Sequence, residues 1–416
     1  MNVPENAGNA TVNGEAIIEG GVGSVYRGGA TPDDADNSGI LRFVRIEYGG
    51  IAYQPNSEIN GLTLGGVGSG NTIDHVQVSF CGDDAFEFFG GTVNATHLIA
   101  YRNGDDDFDT DFGYRGKIQF AISVRDPQIA DQSGSNGFES DNDGQGAENT
   151  PITNAIFSNV TILGPKLNAA DTLINGNYKR ALHLRRSTRT SVFNSVFTGY
   201  PKGLVIDGGV TCNNASDNLL RFRNNRLCGM AAATEAASGV LNIDSLFSAG
   251  SNSSDDDLAA LMFGSTNLDS PDLMPAIGSP LLSGADFTDS YLSNGFTATT
   301  YIGALGTDDW TAQWKSFTCQ TNPYLAAPPA NVASIESNSL NVYPNPANDM
   351  LSLESLSHNI LEVLCYSLDG RMVATNAKVF GPRAVVDVSA LPGGVYLMKA
   401  ALEGGNVVTS RITVSH

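Results

Sequence analysis

The chain has 416 residues, of which 41% are hydrophobic, and this predicts a folded protein with a sizeable core. Its 44 acidic and 23 basic residues give a formal net charge of −21. This charge argues against nucleic acids and anionic membranes as partners, because both would repel the protein. No stretch of the sequence is long and apolar enough to predict a membrane span.

The first residues of the chain do not form a signal peptide, because they lack a basic segment followed by an apolar one. If the protein is exported, we expect its leader to be missing from this sequence. The rest of the chain consists mainly of short β-branched runs between clusters of Gly, Asn and Asp. That texture predicts an all-β fold.

Two classes of short strand alternate along the body of the chain. The first class occupies residues 75–78, 97–100, 121–124, 159–162 and 195–198, and the second occupies 86–88, 108–110, 138–140, 182–184 and 204–206. Val76 and Leu98 are 22 residues apart in the first class, and so are Phe86 and Phe108 in the second. Two strand classes that recur together at this period indicate a solenoid, in which each coil completes its core on its neighbours.

We therefore predict a right-handed parallel β-helix body over residues 1–324, with coils from about residue 15 to about residue 310 and an irregular end cap. A β-sandwich of the same length would not explain the matched spacings. The repeat fades after residue 210, and the Ala-rich residues 231–237 are expected to form a short helix or a loop. Trp310 and Trp314 are expected to close the last coil, with sugar stacking as the alternative.

The second strand class predicts a column of carboxylates on one face of the solenoid. The phenylalanines in these strands are expected to form an interior ladder, so that Glu87, Asp109 and Glu139 point outward, about 5 Å apart. Carboxylates this close repel one another unless a cation lies between them, and calcium prefers oxygen ligands. The predicted calcium ligands are Asp105, Asp107, Asp109, Asp111, Glu139, Asp141 and Asp143. The alternative is a solvated acidic face without a specific ion.

The next coil carries basic residues instead, namely Lys179, Arg180, His183, Arg185 and Arg186. A face that changes from acidic to basic predicts an acidic polysaccharide as ligand, bound by Glu87, Asp109, Glu139, His183 and Arg185. The architecture resembles pectate-lyase-like β-helix enzymes. That resemblance implies a second possibility, in which calcium neutralises a uronate and His183, Arg185 or Lys179 removes a proton. The third interpretation, which is favoured for these residues, is that the basic groups only pair with the carboxylates and hold the coils together.

Two further groups of side chains leave alternatives open. Cys212 and Cys228 flank a polar loop and are expected either to form a disulfide or to remain two buried thiols. His75 and His97 fall in register on one face of the solenoid, where they are interpreted either as metal ligands or as a ladder of outward polar residues. The second interpretation is favoured.

The C-terminal part of the chain has a different texture. Residues 325–335 read as a linker, and residues 336–416 alternate as about seven short strands with turns between them, which predicts a small Ig-like β-sandwich. Four different short motifs follow one another along this region. They contain Tyr343, Pro344, Asn345, Pro346, Gly370, Pro392, Gly394, Tyr396 and Lys399.

These motifs resemble those of the type A sorting domain of type IX secretion cargo. The resemblance implies that the type IX machinery is a partner, and that the protein crosses the periplasm of a Gram-negative bacterium to become secreted or attached to the outer-membrane surface. The body likewise resembles the β-helical regions of Bacteroidetes cargo proteins, over about residues 40 to 320.

The leading functional interpretation is a secreted or cell-surface protein that binds glycan or mediates adhesion and is stabilised by calcium. The alternative is a calcium-dependent polysaccharide lyase or hydrolase, and a purely structural spacer is the third possibility. The sequence favours a protein without catalytic activity, because no catalytic motif of a lyase family matches residue by residue.

Overall fold

The computed structural model divides the chain into two compact units, Met1–Asn322 and Pro323–His416. It describes residues 15–18, 25–27, 32–54, 57–166, 170–237, 239, 241–322, 340–356, 358–368, 370–373 and 376–416. The predicted linker, residues 325–335, lies outside the described residues.

The body contains 23 described strands. In chain order they are β1 (Glu15–Ile17), β2 (Val25–Arg27), β3 (Ile40–Glu47), β4 (Ala52–Gln54), β5 (Ser57–Glu58), β6 (Leu62–Gly65), β7 (Thr72–Ser79), β8 (Phe86–Phe89), β9 (Ala95–Tyr101), β10 (Phe108–Asp111), β11 (Lys117–Val124), β12 (Phe138–Ser140), β13 (Ile156–Leu163), β14 (Arg180–Leu184), β15 (Ser191–Phe193), β16 (Val196–Thr198), β17 (Lys202–Ile206), β18 (Phe222–Arg223), β19 (Arg226–Cys228), β20 (Ala232–Ala236), β21 (Ser253–Asp255), β22 (Phe263–Ser265) and β23 (Asp272–Pro275). The described helices are α1 (Gly209–Ser216), α2 (Ile243–Ala249) and three 3₁₀ turns, Leu258–Leu261, Pro280–Leu282 and Ser290–Leu292.

Most of these strands belong to two long parallel sheets. The seven-stranded sheet has the order β20-β17-β14-β12-β10-β8-β6, and the ten-stranded sheet follows β21-β19-β16-β13-β11-β9-β7-β3, with β15 and β18 pairing beside it. Each strand pairs with the equivalent strand of the next coil, so Phe108 lies between Phe86 and Phe138. The predicted parallel β-helix is therefore confirmed.

The phenylalanines of the seven-stranded sheet form the predicted interior ladder. The rings of Phe86 and Phe108 stack with centroids 5.6 Å apart, and those of Phe108 and Phe138 are 5.2 Å apart. All three side chains are almost completely buried, and Phe157 of the opposite sheet packs edge-on against Phe138. This apolar column fixes the register of the coils, because a shift by one residue would turn the phenylalanines out to solvent.

The coil repeat continues further than the sequence indicates. Residues Ala232–Ala236 form β20, which pairs in parallel with β17, whereas a helix or loop was expected there. Strand β19 likewise pairs with β21, which ends at Asp255. Without β20, the edge of β17 would leave backbone groups unpaired, and satisfying them outweighs the helix propensity of the alanines.

Residues 258–322, which we call the strap, cover the outer face of the ten-stranded sheet. The outward side chains of that sheet, such as Ile99 and Ile122, are buried against strap residues such as Leu281. The strap is also tied by hydrogen bonds, from the backbone N–H of Ser316 to Gln77 Oε1 at 2.9 Å, for example. The expectation that this segment closes the last coil is therefore wrong, because its apolar residues cover the side of the solenoid.

Of the two alternatives for Cys212 and Cys228, the structure shows two buried thiols and no disulfide. All five cysteines are free and buried. Cys212 lies in helix α1 and packs in the interior core, whereas Cys228 packs in the separate cluster beneath the strap. Since the two thiols point into different cores, each behaves as a small apolar side chain.

The second unit is an antiparallel sandwich, as predicted. Its strands are β24 (Leu340–Tyr343), β25 (Met350–Ser355), β26 (Ile360–Ser367), β27 (Met372–Val373), β28 (Asn376–Phe380), β29 (Arg383–Asp387), β30 (Gly394–Leu402) and β31 (Val407–Val414). They form two four-stranded sheets, β24-β25-β29-β28 and β27-β26-β30-β31. Alternate side chains such as Leu351, Met398 and Ile412 fill the core between the sheets.

Several residues of the C-terminal motifs have structural roles in this unit. Asn345 accepts a hydrogen bond from the Thr413 backbone at 2.8 Å and donates one to the Arg411 carbonyl at 3.1 Å. The Tyr396 hydroxyl donates to the Pro392 carbonyl at 2.8 Å. Gly370 has a φ of 82°, a conformation in which a side chain would be strained. Asn345 therefore ties the first motif to the last strand, and Tyr396 holds the turn that precedes β30.

Candidate functional site

The outer face of the seven-stranded sheet carries a column of polar side chains. Glu87, Asp109 and Glu139 are in register on neighbouring strands, and His183 follows Glu139 on the next coil. They alternate with the buried phenylalanine ladder, so their outward direction follows from strand geometry. The predicted column of carboxylates is therefore present in the structure.

This column continues into a pocket of about 260 Å³ beside the corners that precede the strands. We call it the acidic pocket. Its charged lining consists of eight carboxylates and one cation, namely Glu58, Asp83, Asp84, Asp105, Asp106, Asp109, Asp131, Glu139 and Arg185. One guanidinium does not balance eight carboxylates, so the pocket is strongly anionic unless protons or cations enter it.

Three overlapping groups of carboxylates are close enough to share a cation, with all donor atoms of a group within 4.8 Å of one another. The groups are Asp83, Asp84 and Asp105; Asp84, Glu87 and Asp109; and Asp106, Asp109 and Glu139. Asp84 and Asp109 each belong to two groups. They are therefore the central residues of the cluster.

Burial and mutual repulsion raise several pKa values in this cluster. The pKa of Asp109 is well above its usual value because the side chain is desolvated and because Glu139 and Glu87 are close. The pKa of Asp84 is raised by burial and by Asp106. Both pKa shifts mean that the ionised carboxylates are unfavourable in the folded protein when no cation is bound.

Glu139 differs from its neighbours because it has basic partners. Burial raises its pKa, but the hydrogen bond with His183 and the charge of Arg185 outweigh burial, and the net shift is downward. His183 Nδ1 lies 3.3 Å from Glu139 Oε2, and Arg185 forms an ion pair with the same carboxylate. Glu139 is therefore ionised at the edge of the pocket.

Two oxygen atoms of the cluster have no hydrogen-bond partner. Asp105 Oδ1 and Asp109 Oδ1 are both buried from solvent and unbonded among the described residues. Leaving a buried acceptor unsatisfied costs about 1–3 kcal/mol, and more when it is charged. Both atoms are suitable metal ligands in chemical type.

Not all the predicted ligands lie in the pocket. Asp107 is completely buried on the opposite side of the backbone, where Arg125 Nη1 lies 2.8 Å from Oδ1 and the Ser123 hydroxyl donates to Oδ2 at 2.6 Å. Asp107 is therefore an internal ion-pair partner, and its prediction as a calcium ligand is corrected. The alternation of side chains predicts which face of the sheet a residue occupies only within a strand, and Asp107 precedes β10.

Asp111, Asp141 and Asp143 also lie outside the lining of the acidic pocket. Asp141 is held by Arg185 at 2.7 Å and by Arg186 at 2.6 Å. Asp143 accepts hydrogen bonds from the backbone of Gln145 and Ala147 and so shapes its own loop. Burial, followed by the charge of Asp141, raises the pKa of Asp111 well above its usual value. Of these three residues, Asp141 is the one whose charge is neutralised by arginines.

Asp84 and Asp106 are pocket residues that the predicted ligand set omitted. The backbone N–H of Asp106 donates to Asp84 Oδ1 at 2.8 Å across the coil boundary. A signal for them exists in the sequence, because the pairs Asp83-Asp84 and Asp105-Asp106 are themselves 22 residues apart, at the coil period. Corner residues that recur at the coil period therefore indicate the pocket, just as the recurring strand residues indicate the column of carboxylates.

The basic residues are mostly engaged by carboxylates. Lys179 points away, with Nζ 3.0 Å from the Gly176 carbonyl, so it is not part of the pocket. Arg185 and Arg186 also line a second pocket of about 320 Å³ with Ser187, Asp207 and the start of helix α1. We call it the Arg186 pocket. It shares Arg185 with the acidic pocket, so the two cavities adjoin.

Comparison with known proteins assigns the fold to a family. Residues 6–262 match the family described as a pectate-lyase-like beta helix domain. The chain belongs to this family. Residues 341–415 match the secretion system C-terminal sorting domain, which confirms the resemblance of the C-terminal motifs. The protein is therefore exported to a secreted or cell-surface location. Separately, no described helix has the length and apolarity needed to cross a membrane.

Comparison with whole proteins adds less. No curated protein sequence matches the chain. Among solved structures, the chain is similar to the tailspike protein gp49 of the Acinetobacter baumannii bacteriophage Fri1, a capsular polysaccharide depolymerase, with 12% identity and a TM-score of 0.18. The match covers 86% of this chain and 63% of that one, so the chain spans less than two thirds of the tailspike.

Proposed function

We propose that this exported β-helix protein binds calcium in the acidic pocket and uses the adjoining face to bind a polysaccharide. The observation that supports this most is the charge imbalance of the pocket, where eight carboxylates surround a single arginine. Calcium takes six to eight oxygen ligands in flexible geometry, and a cluster of carboxylates on neighbouring coils offers them.

The residues proposed to hold the ion are those shared between the close carboxylate groups. Asp84 and Asp109 would contribute to it directly, with Asp105, Asp106 and Glu139 around them. Asp105 Oδ1 and Asp109 Oδ1 lack other partners, so binding would not break an existing hydrogen bond at either atom. Imidazole and thiolate ligands are absent from this described set, which favours calcium over zinc.

The glycan part of the proposal is supported by the Arg186 pocket. Arg186 is 41% exposed at its side chain, so it can reach a ligand while it remains paired with Asp141. Its guanidinium suits carboxylate or sulfate groups of an anionic sugar. A cation in the acidic pocket would remove the repulsion that such a sugar meets beside Asp109.

Binding is favoured over catalysis by the state of the basic residues. Arg185 is held by Glu139 and Asp141, and His183 lies between Glu139 and Asp207. A proton-abstracting base needs a free, correctly placed lone pair. Since His183 and Arg185 are engaged by carboxylates and Lys179 bonds the Gly176 carbonyl outside the pocket, we propose a ligand-binding role for this face.

Calcium binding can be tested by isothermal titration calorimetry and thermal unfolding of the full chain. We expect calcium to raise the melting temperature of the wild-type protein and of Asp308→Asn, which removes one exposed carboxylate on the strap. Asp109→Asn should abolish that response. It should also make the calcium-free protein more stable than wild type, because it removes a repelled charge. An unchanged calcium response in Asp109→Asn would contradict the proposal.

Glycan binding can be tested on an array of neutral and anionic polysaccharides, with calcium present or chelated. We expect calcium-dependent binding of anionic polymers, and a loss in Arg186→Gln but not in Arg383→Gln, which alters an exposed arginine of the second unit. The bound polymers should be recovered at their original length. Accumulation of unsaturated or shortened products would show that the protein is an enzyme, and no binding to any polymer would refute the glycan role.

A further inference from the structure

A second cluster of metal-ligating side chains lies on the ten-stranded sheet, away from the acidic pocket. It belongs to a column of residues that occupy the same position on successive coils, each with a left-handed backbone. Phe43, His75, His97 and Phe120 have φ values of 55°, 56°, 57° and 60°. This conformation turns their side chains outward from the sheet, and the rings stack with centroids 4.5, 4.3 and 5.3 Å apart.

The two histidines converge on one carboxylate. His75 Nδ1 lies 2.6 Å and His97 Nδ1 2.8 Å from the same atom, Asp74 Oδ1. The Thr96 hydroxyl also lies 3.1 Å from that oxygen. One carboxylate oxygen has two lone pairs, so three donors exceed what it can accept well.

The geometry points to a transition-metal site formed by His75, His97 and Asp74. Two imidazole nitrogens and one carboxylate oxygen, all within 4.8 Å of one another, are the donor set that zinc, nickel and copper prefer. With a metal between them, the nitrogens present lone pairs to the ion, and the excess of donors on Oδ1 disappears. The three side chains are 16–24% exposed, so an ion in solution can reach them.

Neighbouring residues are placed to support such a site. Arg42 Nε lies 3.0 Å from Asp74 Oδ2, the oxygen that faces away from the histidines, and it orients the carboxylate. Trp310 and Trp314 of the strap pack edge-on against the imidazoles, with centroids 4.9 Å from His97 and 5.2 Å from His75. Partners of this kind, outside the ligands themselves, fix ligand orientation in metal sites.

This site differs in chemistry from the acidic pocket. The other close groups of potential ligands among the described residues consist of carboxylates alone, which suit calcium. Nitrogen ligands suit later transition metals instead. The inference therefore does not depend on the calcium proposal, and either can fail without the other.

The position of the tryptophans provides a direct assay. Trp310 and Trp314 are the two tryptophans of the chain, and both contact the histidines. Copper or nickel bound by these histidines would quench most of the intrinsic fluorescence at a stoichiometry of one. Excess zinc, which does not quench by electron or energy transfer, should compete with nickel for the site and restore the signal.

The test uses the full chain without a histidine tag, treated with a chelator and titrated with copper, nickel and zinc. The matched variants are His75→Phe and His97→Phe, because the same column already contains Phe43 and Phe120 and the ring stack is kept. We expect each variant to weaken metal binding by about ten-fold or more while its melting temperature stays close to wild type. Asp109→Asn should leave this binding unchanged.

Equal quenching in wild type and His97→Phe would overturn the inference, and so would metal binding that disappears in Asp109→Asn instead. If a phenylalanine variant fails to fold, His97→Asn replaces it, since Asn159 occupies the same column with a φ of 56°. X-ray absorption of the zinc-bound protein provides an independent measurement. It should show two nitrogen ligands from imidazole, and a spectrum without imidazole would contradict the site.

Discussion

At the scale of single residues, three adjacent aspartates show how strongly side-chain direction decides chemistry. Asp105 and Asp106 line the acidic pocket, while Asp107 enters the core and pairs with Arg125. Both members of that pair are completely buried. The Arg125 guanidinium also lies 5.1 Å from the ring centroid of Tyr178, which adds a cation–π contact. A single turn at the corner thus separates two residues that line the pocket from one that is buried in an internal ion pair.

The buried pair leads to a prediction about stability. Arg125→Met should destabilise the body by about 3–5 kcal/mol, because it leaves Asp107 buried without a counter-charge. Arg115→Met is the control, since its pair with Asp34 is partly exposed at 26% and 55% and contributes about 0–1 kcal/mol. Urea unfolding followed by circular dichroism measures both. Similar losses in the two variants would show that burial does not determine the strength of these pairs.

At the scale of elements, the column of left-handed residues connects the ten-stranded sheet to the strap. After Phe120 the column continues with Asn159, Asn194 and Asn224, whose φ values are 56°, 50° and 56°. Asparagine tolerates this conformation better than most residues, and its amide provides donors that face outward. The aromatic half of the column packs against tryptophans, and the asparagine half binds strap carbonyls.

Asn159 donates more hydrogen bonds to the strap than Asn194 or Asn224, so its replacement should loosen the strap. Its Nδ2 group donates to Thr299 Oγ1 at 3.1 Å and to the carbonyls of Tyr301 and Gly303 at 3.0 and 3.2 Å. Asn159→Ala should cost about 1–3 kcal/mol and speed amide exchange in residues 299–304.

Asn224→Ala is the control for that experiment. Its side chain makes one long contact, 3.3 Å to the Gly284 carbonyl, in an exposed position. Hydrogen exchange measured by mass spectrometry should therefore change less than in Asn159→Ala. Unaltered exchange of residues 299–304 in Asn159→Ala would mean that apolar packing alone holds the strap.

At the scale of the whole molecule, the coil architecture could be predicted from the sequence, but the strap could not. A spacing of 22 residues between Phe86 and Phe108 is a local signal that survives insertions in the loops. The contact between Gln77 and Ser316 joins residues 239 positions apart and has no periodicity to reveal it. The column of carboxylates followed from strand alternation, whereas the pocket also needed the corners, whose geometry alternation does not determine.

The acidity of the molecule leads to a last prediction, about pH. The folded-state pKa values of Asp84, Asp106 and Asp109 are raised well above the usual carboxylate value, mainly by burial and then by neighbouring carboxylates. A raised folded pKa means that stability is fully present below the unfolded pKa of about 3.9 and is lost as pH rises through the folded value. Calcium-free protein should therefore unfold at a lower temperature at neutral pH than at pH of about 5.

The proposed calcium site predicts the reverse trend when calcium is present, because an ion bound there would interact with the ionised carboxylates and compete with protons. The melting temperature with saturating calcium should then rise, relative to the calcium-free protein, most strongly at neutral pH. General repulsion from the net charge of −21 also weakens the protein as pH rises, so the double variant Asp84→Asn/Asp109→Asn is needed to isolate the pocket. Differential scanning calorimetry should show a shallower pH dependence in that variant without calcium. An equally steep dependence would place the cause outside the acidic pocket.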